Sequence, residues 1–356
     1  MVTAAEEPGR AGDQTALLEP GQVVGRYRVV KRIGTGAMGE VFLATDDELG
    51  RRAAIKVLGQ RHHGNSVIKE RFVREARALA QLSHVNLITV FEAGHVGEGQ
   101  RHYFAMELLE GGDTQKLLDE RGPLPSGVVA SVGAQAAGGL GHAARAGFVH
   151  RDVKPANLGI SAHGILKVTD FGLAKSLAAE KSLTGDGFVV GTADYIAPEQ
   201  ARGEDRDERA DVYALGCTLY HLMTGRPPFR SEGRTQVQRY ADVMRSHLHV
   251  AVPDPRRLAS DAEPALAAEV MRMMSKDREQ RPTFDQVASD LSRLSSRLHG
   301  ELPRVTRRPF TVPTGVPVPE PSPTVEAPPA ALWPRLAGAA VLLLGAAAAV
   351  AALLHH

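Results

Sequence analysis

The chain is poor in cysteine and carries almost no net charge. Cys217 is the only cysteine among 356 residues, so no intramolecular disulfide and no thiolate metal cluster can form, which fits a reducing compartment. The formal net charge is +1 with both signs interspersed, so no nucleic-acid partner is predicted. Of the fourteen histidines, pairs such as His62–His63 and His247/His249 lack an acidic or cysteine partner at ligand spacing, which favours solvated loop histidines over a structural metal site.

The beginning of the chain lacks a secretory signal. Residues 1–22 contain no basic-then-apolar run and no apolar period, so they are predicted to be a flexible leader, with order beginning near Val24. The remaining length is sufficient for a two-lobed catalytic unit with appendages or for two ordinary domains.

The chain does contain the octapeptide HRDVKPAN, which combines an acid, a cation and an amide in one short loop. Each can take a separate task in phosphoryl transfer: Asp152 to orient a hydroxyl, Lys154 to neutralise phosphate and Asn157 to hold a metal ion. The other parts of such a reaction follow in a workable order, with residues 170–172 reading DFG and residues 197–199 reading APE.

A glycine loop, GTGAMG, precedes the octapeptide and includes Gly34, Gly36 and Gly39. A dinucleotide fingerprint would need a helix directly after the glycines and an acidic residue about 20 positions later. Here residues 41–44 are typical of a second strand, and the acidic pair at 46–47 comes too soon. The glycines are therefore predicted to cap a hairpin that lies over phosphates, although an incidental glycine hairpin gives the same pattern.

Lys56 lies in the middle of an apolar strand predicted over residues 53–58. A buried ammonium is costly without an anion, so Lys56 needs a partner. Nucleotide phosphates are one candidate and Glu75 is another, because Glu75 adjoins the apolar face of a helix predicted over residues 69–79. Glu70 is the rival carboxylate, and a snorkelling surface lysine is the alternative that needs no partner.

The pattern changes from strands to helices near Gly111. Strands are predicted over residues 87–92 and 103–109, then helices from residue 113, including a long one from about Ser126 and a closing one over 284–298. Leu109 then falls in a connector between two lobes, where main-chain groups could contact a base and Asp113 a ribose hydroxyl. The polar stretch 173–190 suits a switch loop.

These motifs together resemble the eukaryotic-like (Hanks-type) serine/threonine protein kinase family of bacterial character, from about residue 27 to 298. The resemblance implies an α+β fold of two lobes, a β-rich N-lobe (23–108) and a larger helical C-lobe (112–298), which uses ATP with Mg²⁺, or Mn²⁺, and acts on serine or threonine of proteins. It implies catalytic roles for Asp152, Lys154, Lys56 and Glu75, and metal ligation by Asn157 and Asp170. The nucleotide site would include Ile33, Gly34, Gly36, Gly39, Val41, Ala54, Lys56, the gatekeeper Met106, Glu107, Leu109 and Asp113. Glu199 would pair with a late arginine, for which Arg281 is the candidate.

One position departs from the family pattern and one loop is a candidate for regulation. The family places leucine under the adenine where this chain has Gly159, which leaves apolar volume that Leu158 or Ile160 could fill. Arg151 resembles the arginine that binds a phosphorylated activation segment. Ser182 and Thr184 are the nearest predicted phosphorylation sites, and Thr192 is typical of the serine/threonine branch.

The C-terminal part is predicted to form a spacer and a membrane anchor. Residues 299–334 are dense in proline and typical of an extended linker. A single transmembrane helix is predicted over 335–354, with residues 355–356 as a short outer tail. Arginines precede the span, so the positive-inside rule predicts a single-pass cell-membrane protein with a cytoplasmic catalytic domain. Small residues in the span could support a homodimer, although an alanine-rich span produces that spacing readily.

The sequence therefore predicts a membrane-anchored, non-specific serine/threonine protein kinase that phosphorylates its own activation loop. The alternative is a membrane-tethered pseudokinase scaffold, which only Gly159 favours. A small-molecule phosphotransferase shares the loop chemistry but should lack the substrate platform over residues 191–199.

Overall fold

The structure is a computed structural model that describes residues 17–36, 39–62, 65–97, 101–171, 193–204, 207–231, 233 and 235–305. Within this part of the chain, most strands come first and most helices later. This is the two-lobed α+β architecture that the resemblance implies.

The small lobe is built on one antiparallel sheet. Its described strands are β1 (Val23–Val24), β2 (Tyr27–Thr35), β3 (Gly39–Asp46), β4 (Arg51–Leu58), β5 (Val90–Val96) and β6 (Arg101–Met106). Their spatial order is β1-β2-β3-β4-β6-β5, so β4, which carries Lys56, lies in the interior of the sheet. The strand predicted over 87–92 begins three residues later than expected, because Leu87 pairs instead with Val168 of the large lobe.

Helix α1 (Ser66–Gln81) covers one face of this sheet. The Asn65 side chain caps its start by accepting a hydrogen bond from the Ile68 amide. Phe72 packs on Phe104 of β6 with ring centroids 5.1 Å apart, and both rings are buried. Because residues three positions apart lie on the same face of a helix, Glu75 also points toward the sheet.

The large lobe is helical. Its described helices are α2 (Thr114–Arg121), α3 (Ser126–Arg145), α4 (Pro198–Arg202), α5 (Glu208–Thr224), α6 (Gln236–His249), α7 (Pro264–Met273) and α8 (Phe284–Arg297). Helix α3 lies at the centre of the large lobe, between α5 and α8. Its alanine and glycine residues allow these helices to pack closely against it. A Cβ at Gly133 would lie 2.4 Å from Leu291 Cδ1 and 2.8 Å from Leu219 Cδ1, so a larger residue there would require both leucines to shift.

A short hairpin of β7 (Leu158–Ile160) and β8 (Leu166–Val168) directly follows the HRDVKPAN loop. A 3₁₀ turn over Pro155–Asn157 leads into β7. The Val168 amide donates to the Asn86 carbonyl, and the Ile88 amide donates to the Val168 carbonyl, so β8 is bonded to the segment that precedes β5. The end of β8 therefore lies directly below the small-lobe sheet.

Both ends of the described region are packed against the domain, which differs from the prediction. Leu18 is buried against the outer side of the sheet, and the Leu17 amide donates to Glu40 at 2.9 Å, so order begins before Val24. After α8 the chain continues along the large lobe: Leu302 is buried, and the Val305 amide donates to the Ala162 carbonyl at 2.9 Å. The linker was predicted to begin at residue 299, yet these residues extend the folded unit.

The predicted membrane span and most of the proline-rich linker lie outside the described residues. Among the helices described between residues 17 and 305, none combines the length and apolar character that crossing a bilayer requires.

Candidate active site

Lys56 lies between two carboxylates that come from distant parts of the chain. Its Nζ is 2.9 Å from Glu75 Oε1 on α1 and 2.8 Å from Asp170 Oδ1, just after β8. The Lys56 side chain is 12% exposed and the Glu75 side chain 3%, so the Lys56–Glu75 ion pair is shielded from water. Burial opposes the charge on Lys56, but Asp170 and Glu75 raise its pKa above the ordinary value, and Lys56 in turn lowers the pKa of Asp170. Glu75, preferred over Glu70 from the sequence, is the glutamate in contact.

The glycine loop closes the hairpin between β2 and β3. The Gly36 amide donates to the Gly39 carbonyl at 2.8 Å, and the sheet register places Gly34 opposite Val41 and Val41 opposite Lys56. Gly39 itself begins β3, where a Cβ would lie 1.9 Å from the Val57 carbonyl. The loop thus lies on the same end of the sheet as Lys56, and Ile33, on β2, is 45% exposed there.

Asp152, Lys154 and Asn157 form one hydrogen-bonded group in the loop after α3. Lys154 Nζ is 3.0 Å from Asp152 Oδ2, and Asn157 Nδ2 donates to the same oxygen at 3.1 Å and to the Asp152 carbonyl at 2.8 Å. The Asp152 side chain is only 9% exposed. The carboxylate is therefore held in one orientation by two donors.

Asp211, at the start of α5, holds the backbone of this loop, and the sequence did not single it out as part of the site. Its two carboxylate oxygens accept hydrogen bonds from the His150 amide at 2.6 Å and the Arg151 amide at 2.8 Å. This clamp supports the strained backbone at Arg151, whose φ is +69°. A signal was present in the sequence, since Asp211 directly precedes the mostly apolar run from Val212 to Leu219.

His150 is a second support that the octapeptide did not reveal. The Asp152 amide donates to His150 Nδ1, so Nε2 carries the proton and donates to the Thr169 carbonyl at 2.9 Å. The ring is buried and packs against Phe171 at 4.6 Å between centroids. His150 therefore links the loop with Asp152 to the segment with Asp170.

Asn157 and Asp170 fit a magnesium site by their chemistry. Because Asn157 Nδ2 is used by Asp152, its Oδ1 is the atom left to act as a ligand. The Asp170 carboxylate is half-exposed, and its backbone has φ +54°, a strained conformation for a residue other than glycine. One carboxylate plus one amide oxygen matches the preference of Mg²⁺ for few protein ligands completed by phosphate and water.

The connector between the lobes presents main-chain groups and apolar side chains. Ala54 pairs with Met106 across β4 and β6. The Glu107 amide donates to the Thr89 carbonyl, and the Glu107 carboxylate contacts Lys167 at 2.8 Å. Among the described residues, the main-chain carbonyl of Glu107 is therefore the group left to contact a base. In the described part of the chain, the Leu109 amide and carbonyl make no main-chain hydrogen bond. Asp113 caps α2 by accepting from the Lys116 amide.

The volume expected to be empty beside Gly159 is occupied. A Cβ at this position would lie 2.2 Å from Leu109 Cδ1, so the connector leucine fills the space. The expectation that Leu158 or Ile160 would fill it is wrong, because both side chains are buried in the large-lobe core on the opposite face of β7.

The residues after the switch segment form a buried ion pair. Arg281 binds Glu199 through both carboxylate oxygens, at 2.6 and 2.8 Å, and both side chains are almost fully buried. Arg281 also donates to the main-chain carbonyls of Ser275 and Arg209. The described part of the platform predicted over residues 191–199 is therefore tied through Glu199 to the interior of the large lobe.

The predicted regulatory residues are only partly described. Ser182, Thr184 and Thr192 lie outside the described residues. Arg151 lies within the HRDVKPAN loop, and its Nε is buried with no hydrogen-bond partner among the described residues.

Comparison with known proteins agrees with this geometry. A family model for the protein kinase domain matches residues 27–291. The chain is 42% identical over 220 residues to the serine/threonine-protein kinase PknL of Mycobacterium tuberculosis, which covers 62% of this chain and 54% of PknL. It is 35% identical over 292 residues to PknB of Mycobacterium leprae, which covers 81% of this chain and 46% of PknB. The chain thus spans about half the length of the curated relatives it matches.

A solved structure is also similar. The crystal structure of the Mycobacterium tuberculosis PknI kinase domain superposes with a TM-score of 0.58 at 27% identity, and the match covers 78% of this chain and 98% of that domain.

Proposed function

The chain belongs to the protein kinase family, in its bacterial Hanks-type serine/threonine branch, and from this premise we propose that it transfers the γ-phosphate of ATP to serine or threonine of proteins. One observation carries the proposal. Lys56 contacts both Glu75 and Asp170, the latter 114 positions away in the chain, and Asp170 is linked through Thr169 and His150 to Asp152. Charges that converge in this way are the arrangement that phosphoryl transfer requires.

The residues divide the work as follows. Asp152, held by Lys154 and Asn157, accepts a hydrogen bond from the acceptor hydroxyl and orients it for in-line attack. Lys154, beside it, neutralises charge on the transferring phosphoryl group, and Lys56 positions the other phosphates. Asn157 and Asp170 would hold Mg²⁺, which when bound neutralises charge on the phosphate oxygens.

The connector supplies the groups left to recognise the base. The Glu107 carbonyl and the Leu109 amide and carbonyl face no main-chain partner in the described part of the chain. Ala54 and Met106 provide apolar surface on the small-lobe side. Lys154, two residues after Asp152, is typical of the serine/threonine branch of the family.

The test is transfer of radiolabel from ATP to the chain itself or to a generic basic protein. We expect incorporation into serine and threonine by the wild type and a loss of at least about 1000-fold by Asp152→Asn, because this change removes the acceptor for the hydroxyl proton. Asp119→Asn, an exposed carboxylate on α2, is the matched control and should retain activity. Equal incorporation by wild type and Asp152→Asn would refute the assignment.

We also propose that the chain phosphorylates its own switch segment. Arg151 supports this, because its buried Nε lacks a partner among the described residues and a phosphate there would supply one. Mass spectrometry after incubation with MgATP should find phosphate on Ser182 or Thr184. An active enzyme with both residues unmodified would refute this part.

Membrane anchoring through residues 335–354 is a further proposal, supported by the absence of charge over about 19 residues after a proline-rich stretch. The cell-membrane location with a cytoplasmic catalytic domain and a homodimer through the small residues of the span rest on the same segment. Fractionation should place the full chain in membranes and a chain ending at residue 334 in the supernatant. Recovery of both in the supernatant would exclude the anchor.

The pseudokinase alternative has lost its only support. It rested on empty volume at Gly159, and Leu109 fills that volume. The Glu199–Arg281 pair likewise favours a protein substrate platform over a small-molecule phosphotransferase.

A further inference from the structure

Strand β7 presents a residue without a side chain at a position that faces the cleft. Leu158 and Ile160 are fully buried in the large-lobe core, and side chains alternate along a strand, so Gly159 points the other way. A Cβ there would lie 3.6 Å from Thr169, the residue before Asp170, which places this face of β7 beside the metal-binding aspartate.

Leu109 reaches into the space over Gly159. Its Cδ1 would lie 2.2 Å and its Cγ 3.5 Å from a Cβ at position 159, and the first of these distances is well inside van der Waals contact. Leu109 is partly buried and packs against the large-lobe core. The side chain that covers β7 therefore comes from the connector and not from β7 itself.

The connector is fixed in register with β7, so this placement is a built feature. The Gly111 amide donates to the Ile160 carbonyl at 2.9 Å, and the Ile160 amide donates to the Gly112 carbonyl at 2.8 Å. Asp113 and Gly159 form a further β-bridge. Leu109 lies two residues before Gly111, at which this short ladder begins.

We propose that Leu109 is the residue that determines binding of the nucleotide base on the large-lobe side, and that Gly159 is required because any side chain there would displace it. The inference rests on the proposed function, since it names the surface on which the ATP base lies. The two positions then form a size-complementary pair in which one large side chain is needed and two cannot fit.

Binding of MgATP and of adenosine to the full chain, measured by isothermal titration calorimetry, tests the pair. Leu109→Ala removes most of the apolar side chain that would contact the base, so the affinity for both ligands should fall by about 10- to 30-fold. Because the phosphates are not involved, the factor should be the same for ATP and adenosine. Leu109→Val should give a smaller loss, about 3-fold, and serves if the alanine variant does not fold.

The reciprocal change completes the design. Gly159→Leu alone should weaken both ligands at least about 10-fold, because it displaces Leu109. Combined with Leu109→Ala it should restore affinity to within about 3-fold of wild type, since one large side chain again occupies the space. Leu294→Ala, another partly buried leucine of the large-lobe core, is the control and should lower the melting temperature without changing affinity.

The outcomes separate the two proposals. A wild-type chain that binds no ATP would overturn the proposed function. If the wild type binds ATP, unchanged affinity in the folded Leu109→Ala and Leu109→Val variants, or a double variant whose losses add, would overturn the role of Leu109 alone.

Discussion

Glu75 and Glu70 lie on the same helix, five residues apart, and offer a matched test of the Lys56 ion pair. Glu75→Gln keeps the shape of the side chain and removes its charge. Glu75 is 2% exposed and its Oε1 lies 2.9 Å from Lys56 Nζ, so the interaction is shielded from water and salt. With Glu75 neutral, Asp170 is the charged partner that Lys56 retains among the described residues, and it draws the ammonium toward the carboxylate needed for the metal ion.

The expected magnitude follows from the kind of hydrogen bond that is lost. A hydrogen bond between charged groups contributes about 1.5–3 kcal/mol, which corresponds to about 10- to 150-fold in kcat/KM. The glutamine amide oxygen can still accept a weaker bond from Lys56, so we expect the lower part of this range, about 10- to 50-fold. Steady-state kinetics with varied ATP measures the loss.

Glu70→Gln is the control. Glu70 is 72% exposed and pairs with the exposed Arg74 one turn later, an interaction that contributes little in water. Its kcat/KM should stay within about 3-fold of wild type, because a weak surface pair has little effect on the cleft. A loss in Glu70→Gln equal to that in Glu75→Gln, or no loss in either, would refute the assigned pairing.

Three further predictions concern stability, each measured by urea unfolding. Burial lowers the pKa of His247 to about 3, while the unfolded chain titrates near 6.5. Protons therefore bind the unfolded state more tightly, and the free energy of unfolding should fall by about 1.6 kcal/mol between pH 6.5 and 5. His247→Gln should flatten this dependence, and an unchanged slope would contradict it. Arg281→Met should lower the free energy of unfolding by about 3–5 kcal/mol, because it leaves Glu199 buried without a counter-charge, and adding Glu199→Gln should recover part of that loss. A loss below about 1 kcal/mol in the single variant would show that the pair is not buried as described. Leu18→Ala should lower the free energy of unfolding by about 2–3 kcal/mol, whereas Leu49→Ala, at an exposed position, should lower it by less than about 0.5 kcal/mol. Equal effects would mean that the segment before β1 is not packed against the sheet.

The sequence predicted those parts of the fold that follow from local patterns. The alternation in β2 and β4, the helical spacing around Glu75 and the turn chemistry of the glycine loop each place an element correctly. The choice of Glu75 over Glu70 also followed from helical spacing, because only Glu75 adjoins the buried stripe. These signals are readable because each depends on residues close in sequence.

The features that the sequence did not predict depend on long-range contacts. Asp211 lies about 60 positions from the amides that it clamps, and Leu109 lies 50 positions from the glycine that it covers. The packing of Leu18 and Leu302 likewise depends on surfaces formed by other segments. An isolated apolar residue in a polar stretch does not reveal such a surface. The predicted folded unit therefore began too late in the chain and ended too early.

The segment that follows α8 has a mechanical consequence. Val305 is bonded to Ala162, two residues beyond the strand that follows Asn157, and Leu302 is buried nearby. A load applied to the chain beyond Val305 would therefore be borne first by this bond and this leucine, and then by the hairpin of β7 and β8 that lies between Asn157 and Asp170. Tension at the end of the folded unit would reach strand β7 through the bond to Ala162, and would reach α8 through the chain that links it to Leu302.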